Sequence, residues 1–119
     1  GNNQEALACY NEVIKLNPAF SNIHTAKGDA LSALGENREA LECYDKAIKL
    51  NPTNPSTFVN KAKILFKLDD KQGALACFDK AVRLDPINPI IHCNKGTVLA
   101  NLGNGREALK CFNRAVALD

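Results

Sequence analysis

Residues 40–52 read ALECYDKAIKLNP, and residues 74–86 read ALACFDKAVRLDP. Eight of these thirteen positions are identical, and the two segments lie 34 residues apart. The same spacing separates four of the five cysteines, which are Cys9, Cys43, Cys77 and Cys111. A fixed period of this size predicts that the chain repeats one structural unit.

Each repeat has the sequence pattern of two helices. In the first helix, apolar or small residues recur in steps of four, three and three, which places them on one helical face. The second helix carries a similar stripe and ends before an Asn-Pro or Asp-Pro pair, because proline disfavours helix in the residue before it. The first-helix stripes are residues 24, 28, 31 and 34, residues 58, 62, 65 and 68, and residues 92, 96, 99 and 102.

Small residues in the middle of the first helices predict close helix packing. Gly28 and Gly96 occupy one position of the repeat. Glycine inside a helix costs about 1 kcal/mol relative to alanine, so a packing requirement is the expected compensation. The large aromatic residues of the second helices, Tyr44, Phe78 and Phe112, are predicted to fill the space between helix pairs.

Composition narrows the possible functions. The 119 residues suit one domain with a modest core. A net charge of +2 is too small to indicate nucleic-acid binding. No apolar run reaches the length of a membrane span, so we expect no membrane association.

The cysteines do not form the pattern of a disulfide framework. Stacked helices place equivalent Cα atoms roughly 8–10 Å apart, beyond the limit of about 7 Å for a disulfide. Free thiols are typical of a reducing compartment, which predicts a cytoplasmic protein. Because no Cys/His cluster has zinc-binding spacing, we also expect no metal.

A 34-residue helix–turn–helix unit with small, aromatic, alanine and proline positions in register resembles the tetratricopeptide repeat (TPR) family. The resemblance implies an all-α, right-handed superhelical solenoid of antiparallel helix pairs, with about seven helices. Residues 1–119 would form one array, with the second helix of a truncated repeat at 5–18 and full repeats at 21–54, 55–88 and 89–119. Two positions depart from the family pattern: His24, Phe58 and His92 stand where Trp is common, and Lys27, Lys61 and Lys95 where Leu is common.

The ends of the array predict exposed apolar surface. Each unit of a repeat protein buries its face only against a neighbour, and TPR arrays usually close with an additional solvating helix. No such helix follows the last repeat. We therefore expect the 119 residues to be a fragment of a longer array, whose open ends could associate with other copies.

No pattern in the sequence predicts an enzyme or a cofactor. Motifs such as GxSxG, the P-loop, HExxH and GxGxxG are absent. His24 and His92 could suggest a metal or acid–base pair, but they lie two repeats apart. We interpret them as large rings that replace Trp in packing.

The TPR resemblance implies that the first helices line a concave groove in which an extended peptide lies. Asn60 and Asn94 are 34 residues apart and could hold a peptide backbone, because a carboxamide both donates and accepts. Position 26 is Ala, so this ladder is incomplete, and a solvated polar face is the alternative. The candidate groove residues are Asn22, Thr25, Asp29, Val59, Asn60, Lys63, Phe66, Lys67, Cys93, Asn94, Thr97 and Asn101.

Charges in the groove favour one kind of peptide over another. TPR domains that bind chaperone C-terminal tails use a carboxylate clamp, of which only Asn60 is present here. Asp29 would repel a carboxylate, so we expect no such binding. Lys63 and Lys67 lie one turn apart beside Phe66, and this patch predicts a peptide with an Asp or Glu near its middle, lying across residues 60–67.

Three functions remain open at this point. The first is a non-enzymatic scaffold that binds a protein or peptide ligand in the groove. The second is a structural repeat that self-assembles through its open ends. The third, RNA binding, requires a basic concave face with base-reading pairs in each repeat, and the first full repeat disfavours it because it offers Asp29 and no base.

Overall fold

The computed structural model describes residues 2–119, and Gly1, the first residue of the predicted array, lies outside them. Every regular element in the described residues is a helix, so the predicted all-α class is confirmed. The seven helices are α1 (Asn2–Leu16), α2 (Ser21–Ala33), α3 (Asn37–Leu50), α4 (Pro55–Lys67), α5 (Lys71–Leu84), α6 (Pro89–Asn101) and α7 (Gly105–Leu118).

Local chemistry explains where the helices begin. Proline is the first residue of α4 and of α6, where its missing N–H is not needed. The side chain of Asp70 accepts a hydrogen bond from the backbone N–H of Gly73 at 2.9 Å and caps α5. Asn88 and Asn104 cap α6 and α7 in the same way.

The turn inside each helix pair requires a left-handed residue. Gly35 and Gly103 both have φ of 81°, a conformation that glycine adopts without a steric penalty. The equivalent residue of the middle repeat is Asp69, with φ of 66°. The repeat therefore imposes the left-handed conformation on Asp69, although an aspartate adopts it less readily than a glycine.

The structure divides into two compact units, one ending at Asn60 and the other running from Lys61 to Asp119. In the first unit, α2 packs against α1 and against α3. The ring of Tyr44 lies against Gly28 so closely that a Cβ atom on Gly28 would be 2.6 Å from Cε1 of the ring. The prediction that glycine at this position allows a close helix approach is confirmed.

The second unit repeats this packing. Helix α6 packs against α5 and against α7. A Cβ atom on Gly96 would lie 2.7 Å from Cε1 of Phe112. Phe78 is buried as expected, but Phe112 is only half-buried.

The two histidines are buried structural residues. Nε2 of His24 donates to the carbonyl oxygen of Pro18 at 2.9 Å, and Nε2 of His92 donates to that of Pro86 at 2.7 Å. A carbonyl oxygen only accepts, so each ring carries its proton on Nε2. Each imidazole thus ties a first helix to the loop before it, as a Trp N–H could also do, which agrees with the packing interpretation.

Lys95, at the position where Leu is common, pairs with a carboxylate of the neighbouring helix. Nζ of Lys95 on α6 lies 2.8 Å from Oδ1 of Asp79 on α5. The stem of Lys95 can still cover apolar surface while its ammonium group pairs with the carboxylate. This position therefore joins the two helices by charge as well as by packing.

The buried surface of the first helices is wider than the single predicted stripe. Ala30, Ile64 and Val98 are buried although none of them belongs to that stripe. Conversely, Leu34 and Leu68, the fourth members of two stripes, follow the last residues of α2 and α4 and are exposed. First helices are thus covered on more than one side, and their stripes end one turn earlier than expected.

Candidate peptide-binding faces of the first helices

The helices of the array fall into two classes. We call α2, α4 and α6 the first helices, and α1, α3, α5 and α7 the second helices. None of the twelve predicted groove residues is buried. Seven are exposed, namely Asn22, Asp29, Lys63, Lys67, Cys93, Thr97 and Asn101, and the other five are half-buried.

In the first unit, Asp29 is the centre of a hydrogen-bonded group that joins three helices. Oδ1 of Asp29 on α2 accepts from the hydroxyl of Tyr44 on α3 at 2.6 Å. The same oxygen accepts from Nδ2 of Asn60 on α4 at 3.0 Å. The carboxylate is therefore held in one orientation although it is exposed.

The Tyr44 hydroxyl remains protonated and acts as a donor in this group. Burial of the side chain, together with the hydrogen bond to Asp29 and the charge of that carboxylate, raises the pKa of Tyr44 above its ordinary value. Tyr44 is only 1 % exposed, so its ring belongs to the core while its hydroxyl reaches Asp29. The sequence predicts the buried ring of Tyr44 but not the role of its hydroxyl.

Thr25 has a structural partner rather than a free hydroxyl. Its Oγ1 lies 3.0 Å from Oγ1 of Thr57, a residue that is 1 % exposed. A buried hydroxyl without a partner would destabilise the fold, so Thr25 satisfies Thr57. Of the predicted groove residues of α2, Asn22 and Asp29 are the more accessible.

In the second unit, α4 presents a cationic patch formed by Lys63, Phe66 and Lys67. Both lysines are exposed, and the phenyl ring between them in the sequence is half-buried. The lysines are four residues apart in one helix and therefore lie on the same side of it. This arrangement places two positive charges beside an apolar surface.

Helix α6 contributes polar residues whose side chains partly bond to their own helix. Oγ1 of Thr97 donates to the carbonyl oxygen of Cys93 at 3.1 Å, and Nδ2 of Asn101 donates to that of Thr97 at 3.0 Å. The Cys93 thiol is exposed. Asn94, which follows Cys93 in the sequence, is half-buried.

The cysteines at the repeated position differ in burial. Cys43 is buried and Cys9 is exposed, while Cys77 and Cys111 are intermediate. Burial raises the pKa of the Cys43 thiol and of the Cys111 thiol, which keeps both protonated. None of the five cysteines, all of which lie in the described residues, forms a disulfide.

Residues 2–119 contain neither a candidate metal site nor a membrane-spanning helix. Within these residues, no three His, Cys, Asp or Glu side chains come together in a group that could hold a metal ion. A membrane-spanning helix, which needs both length and an apolar sequence, is not found among the helices described above.

Comparison with protein families identifies the type of repeat. The family model described as TPR repeat matches residues 1–35, 28–69 and 63–103, and the model described as tetratricopeptide repeat matches residues 90–119. The chain belongs to the tetratricopeptide repeat family. The resemblance predicted from the 34-residue register is thus confirmed.

Solved structures share the TPR fold over the whole length of the chain. A crystal structure of MamA covers 100 % of this chain with a TM-score of 0.93 and 20 % sequence identity, and the match spans 70 % of that protein. MamA 41-end from Desulfovibrio magneticus RS-1 gives 0.90 at 20 % identity, covering 99 % of this chain and 67 % of the other. MamA MSR-1 C2 gives 0.85 at 22 % identity, covering 100 % and 68 %.

At these identities the likeness concerns the fold alone, and this TPR chain spans about two thirds of the length of the MamA structures. Comparison with curated protein sequences gives no match. TPR repeats are protein-interaction repeats, so the family supports a scaffold role. Which surface binds, and what it binds, has to be argued from the side chains.

Proposed function

We propose that this TPR chain is a non-enzymatic interaction module that binds an extended peptide through the exposed faces of its first helices. The observation that supports this proposal is a difference in burial between two sides of each first helix. Small residues at the repeated position, such as Gly28, Ala62 and Gly96, are buried, while the twelve groove residues are all accessible. The helices therefore use one side for packing and keep another side for a ligand.

We further propose that the second unit prefers a peptide with an acidic side chain. Lys63 and Lys67 supply two exposed positive charges on one side of α4, and Phe66 supplies apolar area beside them. A peptide carboxylate would pair with one or both ammonium groups, while a neighbouring apolar side chain would contact the ring. Such exposed charge pairs weaken as the salt concentration rises.

Charge reversal tests this preference. Twelve-residue peptides are selected from a random display library against the wild-type protein. Their affinities for the wild type and for Lys63→Glu/Lys67→Glu are then measured by fluorescence anisotropy. We expect acidic peptides to lose about tenfold in affinity, and more at low salt, from the loss of attraction and the added repulsion. Unchanged affinity would contradict the proposal.

The second unit also provides a matched control. Lys110 and Arg114 are likewise four residues apart and exposed, but they belong to the second helix α7. The variant Lys110→Glu/Arg114→Glu changes the net charge by the same amount and should leave peptide affinity within about twofold of wild type, since exposed charges at a distance are screened. A C-terminal EEVD peptide should bind neither variant nor the wild type, because Asp29 would repel its carboxylates and only Asn60 of the clamp is present.

Self-association is a second candidate function, and a specific observation favours it. Leu109 and Val116 on α7 are 59 % and 76 % exposed. The residues at the same repeat positions in α3 and α5 are half-buried, namely Leu41, Leu75, Ile48 and Val82. A second copy of the chain could cover this face.

Sedimentation distinguishes this candidate from a peptide-binding module. If the face of α7 mediates assembly, the mass should rise with concentration, and Leu109→Gln/Val116→Gln should restore a monomer. A concentration-independent monomer would exclude assembly through α7. We also propose a reducing compartment for the protein, supported by the fact that none of its five cysteines forms a disulfide.

A further inference from the structure

The first unit contains an oriented carboxylate that the packing of the repeat does not require. Tyr44 donates to Asp29, but Phe78 and Phe112 occupy the same position in the other two repeats and fill the same space without a hydroxyl. At the position of Asp29 the other repeats have Lys63 and Thr97. Among the three full repeats, Tyr and Asp thus occur together in one and are both replaced in the other two, which indicates that they act together; Tyr10 holds the same position in α1, outside the full repeats.

The hydrogen bonds leave unused acceptor atoms on both Asp29 and Asn60. Both the Tyr44 hydroxyl and Nδ2 of Asn60 bond to Oδ1 of Asp29. A carboxylate has about four lone-pair sites, so Oδ2 keeps its full capacity to accept. The carboxamide of Asn60 must point its nitrogen at Asp29, because a carboxylate oxygen only accepts, and its own oxygen is then a second acceptor.

This arrangement fits a donor-rich cation. Lysine has three N–H donors and arginine five, and neither side chain has an acceptor. A carboxylate that is already held by two hydrogen bonds loses little conformational freedom when a ligand pairs with it. In the predicted Asn ladder, the carboxamide of Asn60 holds a peptide backbone. In the structure, one N–H donor of that carboxamide is already bonded to Asp29, so it is not available to a peptide backbone.

We propose that Asp29, oriented by Tyr44 and Asn60, is a recognition site for a lysine or arginine side chain of a peptide ligand. The inference rests on the proposed function, since it assumes that the first-helix face binds a peptide. Asp29 is the contacting residue, while Tyr44 and Asn60 are positioning residues. The alternative is that the three residues only tie α2, α3 and α4 together.

Selection from a peptide library separates these possibilities. Random twelve-residue peptides are selected on phage against the wild type, against Asp29→Asn and against a control, Glu39→Gln. Asp29→Asn keeps an oxygen for the two hydrogen bonds but replaces the charge and the second acceptor oxygen with an amide donor. Glu39 is an exposed carboxylate on the second helix α3. We expect lysine and arginine to be enriched at one peptide position with the wild type and with Glu39→Gln, and not with Asp29→Asn.

A substitution in the peptide gives a second measurement, which starts from the wild-type protein. In the best wild-type binder, the enriched lysine is replaced by norleucine, which keeps the apolar stem. Affinity for the wild type should fall about threefold to fivefold at low salt, the size of an exposed ion pair. Affinity for Asp29→Asn should not distinguish the two peptides.

The outcomes are distinct. If no peptide binds the wild type, the proposed function fails. If peptides bind but the lysine or arginine enrichment is absent, or survives in Asp29→Asn, this inference is overturned and the three residues have only a structural role.

Discussion

Replacing Gly28 with alanine tests the packing that defines the repeat. The new Cβ atom would lie 2.6 Å from Cε1 and 2.8 Å from Cδ1 of Tyr44, well inside van der Waals contact. Overpacking of this kind costs about 1–3 kcal/mol, while alanine gains about 1 kcal/mol of helix propensity over glycine. Because Tyr44 is buried and its hydroxyl is held by Asp29, the ring cannot easily move, and we expect a net loss of about 1–2 kcal/mol.

The chain offers graded controls for this substitution. Gly96→Ala brings a Cβ atom within 2.7 Å of Phe112, but that ring is half-buried and has no hydroxyl, so it can move and the net change should be about 0–1 kcal/mol. Gly105→Ala meets no atom within 4 Å and should remain within about 0.5 kcal/mol of wild type. Urea unfolding followed by circular dichroism gives all three values.

A double variant tests the reason for the loss. The middle repeat combines alanine and phenylalanine at these two positions, so Gly28→Ala with Tyr44→Phe should recover part of the stability of Gly28→Ala. The phenyl ring is no longer held by Asp29 and can shift away from the methyl group. The packing account would be refuted if Gly28→Ala were as stable as wild type, or if it matched Gly105→Ala.

Three further predictions concern single residues. The pKa of Tyr44 is raised in the folded state, so the unfolded chain releases this proton first and stability is lost as pH rises above about 10. Urea unfolding at pH 8 and pH 10.5 should show that the wild type loses stability relative to Tyr44→Phe. A stability difference that stays constant between the two pH values would contradict this. Asp69→Gly should raise the unfolding free energy by about 0.5–1 kcal/mol, because φ of 66° suits glycine. Gly103→Ala should lower the unfolding free energy for the same reason. An Asp69→Gly protein that melts no higher than the wild type would count against backbone strain. Iodoacetamide should alkylate exposed Cys93 rapidly and Cys43 only on unfolding, as read by mass spectrometry, and equal rates would show that Cys43 is not protected.

The 34-residue register was sufficient for the fold because every unit repeats the same packing requirements. Gly28 and Gly96, at one position of the repeat, predicted a close helix approach, and both meet the aromatic ring of the following helix. The hydrophobic stripe of the first helices was less informative. Ile64 and Val98 are buried outside that stripe, because a helix inside an array is covered on more than one side, and a search for one apolar face does not detect this.

The oriented carboxylate of the first unit could not be predicted from the register. Asp29, Tyr44 and Asn60 belong to three helices, and their meeting depends on side-chain rotamers rather than on spacing. One signal was present in the sequence: among the three full repeats, Tyr replaces Phe only in the one that has Asp29, although Tyr10 holds the same position in α1. A comparison of the three repeats for paired departures would have found it.

Chemical-shift mapping tests the central claim, that the first-helix faces bind a peptide, most directly. A display-selected peptide is titrated into the ¹⁵N-labelled protein, and backbone amide shifts are followed residue by residue. We predict that the large changes fall on α2, α4 and α6, around residues such as Asp29, Lys63 and Thr97. Changes centred on the outer face of α7, at Leu109 and Val116, or an absence of changes with every selected peptide, would contradict the claim.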